Sequence, residues 1–191
     1  MSEQNYSIDR DLKEAAAMAK ELVPYVYDDR MYVTVGSSIP SFTLGALLLR
    51  LRRLRALRSE MTPGEQNKLA EIETQHDSAL KEWRNAYLKK ITREAQSRLE
   101  MMSQFFEEVR ENPRFAKSAY SPEALRRTIV EEIALMLHDV GADSADLDLK
   151  RKRIDSQLRQ YVRPADFTWS PMLQRVYPRD TFWWLYHKPS S

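Results

Sequence analysis

The chain contains no cysteine. Disulfides, thiolate metal sites, iron–sulfur clusters and cysteine nucleophiles are excluded together, and the absence fits a reducing cytoplasm. Glycine is scarce too, at 4 in 191 residues, roughly a third of ordinary usage. Few glycines leave few left-handed positions for tight turns, so a hairpin-rich sheet fold is not expected. The four are scattered, and no phosphate-cradling or dinucleotide-binding glycine motif is present. Histidine occurs three times, in separate segments, and there is no Gly-x-Ser-x-Gly elbow, so nucleophilic catalysis has no foothold. The acidic pairs Glu107-Glu108 and Glu131-Glu132 sit on helical segments, where neighbours point about 100° apart and cannot act as one two-carboxylate site. No unbroken apolar run approaches the ~20 residues that span a bilayer. The start, MSEQNYSIDRDLKEAAA, lacks the basic segment and apolar core of a secretory signal. These absences lead to the expectation of a soluble cytoplasmic protein that is not an enzyme, holds no cofactor or metal, and has no indicated small-molecule substrate.

What is present is helix-forming. The hydrophobic fraction is 42% and the charged fraction 30%, and Ala, Leu, Glu, Arg and Lys dominate. A net charge of +2 is too small to name a polyanionic partner, so its distribution matters more. Ser7 or Asp9 can cap a first helix, with Leu12, Ala15, Ala16, Ala19, Leu22 and Val23 on one face; Pro24 is expected to end or kink it. The stretch from 25 to 40 reads as an extended connector, although Tyr32, Val33, Thr34 and Val35 have strand composition. Ser41 is expected to cap a second helix running to the residues before Pro63. Thr62-Pro63-Gly64-Glu65 is a strong start for a third, combining a cap, a first-position proline and a reach-back glutamate. Neither glycine nor proline then occurs until Pro113. From Leu69 to Val109 the apolar positions, with His76 filling one gap, step by a mean of about 3.6 residues, the period of a straight helix. A single helix of about 47 residues, ~70 Å long at 1.5 Å per residue, is the expectation there. Ser121-Pro122-Glu123 reads as the cap of a fourth helix closed by Gly141, and Asp143 or Ser144 as the cap of a fifth that Pro164 ends.

Four constellations carry chemistry. Arg50, Arg52, Arg53, Arg55 and Arg58 crowd one helix, and Lys150, Arg151, Lys152 and Arg153 form a second basic run. Both are candidates for nucleic-acid or other anion binding. At 100° per residue the five arginines encircle their helix rather than form a stripe, and 28 acidic residues are available to pair with them. Asp146, Asp148 and Asp155 flank the second run, which favours a solvated helix surface. Glu73 and His76 have the Glu-x-x-His spacing of di-metal helical bundles, but no second copy exists and His76 lies on the apolar stripe. The proline-punctuated segment 164–191 carries seven of the 19 aromatics. Leaving those rings in water would create a large adhesive patch. They either fill a groove of the chain's own bundle, expected near Trp83 and Tyr87, or dock into a partner or second subunit. Trp169, Arg175, Tyr177, Arg179, Phe182, Trp183, Trp184 and Tyr186 are the candidate partner-binding residues, of the types that dominate interface hot spots.

The sequence therefore predicts an all-α fold: an elongated antiparallel bundle of about five helices over residues 1–163, one of them very long and central, with an aromatic C-terminal arm over 164–191. The leading functional expectation is a helical interaction or scaffold protein, a subunit or adaptor of a larger assembly, binding another protein or itself. A nucleic-acid-binding accessory protein using the 50–58 helix is the alternative, and a metal-dependent helical-bundle enzyme the remote one.

Overall fold

A computed structural model describes residues 3–34, 42–112 and 114–190. The protein is all-α: the described residues are 73% helical, 3-10 turns included, and hold one tiny two-stranded sheet. Its helices are α1 (Ile8–Lys20), α2 (Leu22–Tyr27), α3 (Leu44–Ala56), α4 (Pro63–Glu82), α5 (Arg84–Glu111), α6 (Phe115–Asp139) and α7 (Ala145–Tyr161), followed by β1 (Val162–Pro164) and β2 (His187–Pro189). None of the described helices is long and apolar enough to cross a membrane.

Among the described residues the five predicted helical segments become seven helices, because two of them break. The first break lies between Lys20 and Leu22, at Glu21 (φ −93°, ψ 5°). A proline ring collides with the carbonyl four residues earlier, and four before Pro24 is Lys20, the last residue of α1. Pro24 itself sits in the first turn of α2, where its missing N–H is no loss. The second break, at Trp83 (φ −115°, ψ 28°), has no proline or glycine behind it. It replaces the expected single helix with α4 and α5. His76 Nε2 and the Tyr87 hydroxyl are 3.0 Å apart. In a straight helix eleven residues span roughly 16 Å, beyond the combined reach of the two side chains. Bending there lets Tyr87 and Ile91 become wholly buried, while Trp83, expected on the apolar stripe, is left at the surface.

Elsewhere the local signals govern. Thr62 and Glu65 form the full capping box, with Pro63 at the first helical position. Gly141 adopts φ 64°. Its N–H donates to the His138 carbonyl and that of Ala142 to the Leu137 carbonyl, the Schellman arrangement that requires a left-handed residue at this point. Ser41 and Val35 lie outside the described residues; Thr43 caps α3 through Ala46 N–H, and Val33 pairs with Phe42 in an isolated bridge. α5 ends at Glu111, with Pro113 outside the described residues. The start of α6 is a correction: it begins at Phe115, and Pro122 lies inside the helix rather than at its cap. The extra turns hold because Ala116 and Tyr120 are buried, Phe115 meets Phe105, and the Tyr120 hydroxyl donates to the Trp184 carbonyl at 2.7 Å.

The chain divides into two compact units, residues 7–94 and residues 95–191 with 1–6, the division falling within α5. In the 7–94 unit α3 is the central helix, its leucines 44, 47, 48, 49, 51 and 54 all buried, with α1 and α4 packed against it and against each other. In the second unit α6 is buried on nearly every face and receives α7 and β2. The arm, residues 164–191, belongs to this unit. It combines short helical turns with one small strand pair. β1 and β2 pair antiparallel, with Arg163 opposite Lys188. Short 3-10 turns occupy Pro171–Leu173 and Trp183–Tyr186.

Candidate functional site

The basic helix α3 is committed to its own unit. Buried Arg50 donates through Nε to Glu14 Oε2 at 2.8 Å and through Nη1 to the Ala46 carbonyl at 2.8 Å, with a second short bond to Glu14. Arg53, also buried, lies 3.7 Å from Asp11. Arg55 donates to Glu73 at 2.8 Å and Arg58 pairs with the same carboxylate. Arg52 is half-buried. Four of the five arginines are thus turned to carboxylates of α1 and α4 rather than aligned toward a ligand.

Those pairs also use up half of the Glu-x-x-His spacing. Glu73 is occupied by arginines, while His76 Nδ1 donates to Asp77 Oδ1 at 2.9 Å and its Nε2 pairs with the Tyr87 hydroxyl. Among the described residues no group of three or more acidic or imidazole side chains converges as a metal would need. Burial pushes the His76 pKa down, partly opposed by Asp77. A histidine with a depressed folded pKa binds its proton more readily when unfolded. Stability is therefore lost as pH falls below the unfolded value of about 6.5. Thermal melts between pH 7 and 5 are expected to fall more steeply for the native chain than for His76→Gln, and parallel curves would refute the assignment.

The second basic run is distributed differently. Lys150 pairs with Asp146 at 2.8 Å, and Arg151 with Glu131 at 2.7 Å and Asp148 at 3.0 Å. Lys152 and Arg153 are exposed. Asp155 points the other way, gripping Arg127 of α6 through both oxygens at 2.7 and 2.8 Å. Arg127, only 2% exposed, also donates to Glu131 at 2.8 Å. Burial opposes its charge, but Asp155 and Glu131 outweigh that and raise its pKa.

Arg127 is what the aromatic arm docks on. Its guanidinium lies 4.0 Å over the Trp184 ring, the indole N–H donates to Thr128 Oγ1 at 2.9 Å, and Thr128 in turn donates to the Ala124 carbonyl. The remaining rings build a small core of their own. Trp169 meets Tyr177 edge-on, Tyr177 meets Phe182, and Phe182 meets Trp184, with centroids 4.9–5.6 Å apart. The Tyr186 hydroxyl donates to the Tyr177 carbonyl at 2.7 Å, and Arg179 lies over the Tyr186 ring. Trp169, Tyr177, Phe182, Trp183, Trp184 and Tyr186 are all buried, while Arg175 stays exposed. The arm therefore packs on its own chain, but not in the groove expected. Its receptor is α6, while Trp83 and Tyr87 take Tyr27 and His76 as neighbours.

The sequence reading missed this receptor. Arg127 carried no distinguishing signal: it stands between Arg126 and Thr128, with Glu123, Glu131 and Glu132 nearby in the sequence. The reading also missed a surface feature. Trp83 is 36% exposed and Tyr27 59%, and the two rings stand edge to face with centroids 5.3 Å apart. The other three tryptophans are at most 8% exposed. A groove of about 270 Å³ opens beside the pair, lined by Tyr27, Glu82, Trp83, Arg84, Asn85 and Ala86.

Comparison of the chain with protein-family models, with curated proteins and with solved structures finds no match.

Proposed function

We propose that the protein is a non-enzymatic helical interaction protein, a subunit or adaptor of a larger cytoplasmic assembly, and that it binds a protein partner at the bend between α4 and α5. The observation that carries this reading is the exposed Trp83–Tyr27 pair with its adjoining groove. Aromatic anchors of this kind, flanked by arginine, supply most of the energy of protein interfaces. The partner that fits is one presenting an apolar side chain to the groove, with polar groups to meet Glu82 and Asn85 at its rim. The arm's rings, by contrast, have little area left to offer.

Co-purification of the tagged chain tests the reading, with Tyr27→Ser/Trp83→Ser as the comparison. A stoichiometric protein is expected with the native chain and absent with the double variant, whose melting temperature should change little. Light scattering separates a second copy from a different partner. A native chain that stays monomeric and alone, or a variant that keeps its partner, would overturn the proposal.

A further inference from the structure

The solvent face of α7 has lost its negative charge. Leu149, Lys152, Arg153, Ser156, Arg159 and Gln160 recur at steps of three and four or lie side by side, so they share one helical face, and all six are exposed. No carboxylate lies among them. Of the three acids that flank the basic run, Asp155 turns to buried Arg127, while Asp148 and Asp146 pair with Arg151 and Lys150 of the run itself. Among the described residues Lys152, Arg153 and Arg159 have no ion-pair partner. Arg159 is also held in place, its guanidinium 3.8 Å over the Trp183 ring. A stacked guanidinium keeps its N–H edge available for a phosphate. The dipole at the C-terminal end of α7 favours Arg159 but falls off within one turn, so it does not account for Lys152 and Arg153.

We infer that this face binds the phosphate backbone of nucleic acid without reading sequence. A row from Lys152 to Arg159 covers roughly 10 Å, about three phosphates of one duplex strand at ~3.4 Å each. Ser156 and Gln160, set between the cations, are donors of the kind that bond phosphate and sugar oxygens. An anionic membrane fits less well, because interfacial helices need a broad apolar face and only Leu149 is apolar here. The site is independent of the Trp83–Tyr27 surface and does not involve the 50–58 arginines.

The test is fluorescence anisotropy with a random-sequence 30-base-pair DNA duplex and an RNA of the same length, at 50 to 200 mM salt. Three to four phosphate contacts predict an affinity loss of about 10²-fold over that fourfold range. Lys152→Glu/Arg153→Glu is expected to weaken binding at least about tenfold and to lower the salt slope by about 2, and the neutral Lys152→Gln/Arg153→Gln serves if the first variant melts early. Arg55→Gln/Arg58→Gln is expected to bind as the native chain does. The inference is overturned by no binding at 50 mM salt, by α7 variants that bind normally, or by stronger binding to phosphatidylserine vesicles than to either nucleic acid.

Discussion

Trp184→Ala is expected to destabilise the protein by about 3–5 kcal/mol, the range for deleting a fully buried tryptophan. The side chain is wholly excluded from solvent and joins the arm to α6 in three ways. Its ring lies under Arg127, its N–H bonds Thr128, and its carbonyl accepts from Tyr120. The first two are lost on truncation and the third survives only while the arm stays docked. For a chain of this size the loss corresponds to roughly 6–20 °C in melting temperature. Trp184→Phe keeps most of the apolar area and loses the hydrogen bond, which costs about 1 kcal/mol. Urea titration with unchanged m-values measures both. A loss below about 1 kcal/mol for the alanine variant would show that the arm contributes little to the fold, and would reopen a docking role for its rings.

Arg127→Met is expected to cost about 3 kcal/mol, near the lower end for breaking a buried ion pair. The lower end applies because Asp155 retains 22% side-chain exposure and Glu131 keeps Arg151 as a partner. Most of the loss is the penalty of leaving Asp155 without its cation, so adding Asp155→Asn should return part of it. Arg127→Lys keeps the charge but neither the two-pronged grip on Asp155 nor the flat stack on Trp184, and should restore little. Trp184→Ala combined with Arg127→Met should cost less than the sum of the two, since both remove the same contact. Additive losses in a double-mutant cycle would refute the coupling.

Features whose stabilising partners lie within one helical turn were legible from sequence. The Thr62 box closes over three residues, the Gly141 cap over five, and the inward face of α7 follows from Leu147, Ile154 and Leu158 alone. Features whose partners are distant were not. The expected straight helix through Trp83 is broken because Tyr87 is buried against His76. Pro122 is carried within α6 because Tyr120 reaches Trp184, 64 residues away. For the basic runs, the sequence supplied enough acids but could not assign them. Glu14 and Asp11 turn to α3 and neutralise the run that looked more like an anion site. Asp155, read as a neutralising neighbour of residues 150–153, turns instead to Arg127 and leaves Lys152 and Arg153 uncompensated.

By itself the sequence determined helical content, the helix ends set by local signals (the starts of α1, α4 and α7 and the end of α6) and the need to cover the aromatic arm, because backbone capping, periodicity and apolar area are properties of short stretches. Only the tertiary structure decided which groove the arm fills and which cations remain free. Those outcomes depend on which carboxylate meets which guanidinium. An ion pair between residues about 30 apart is set by how the helices pack, not by the residues around either partner.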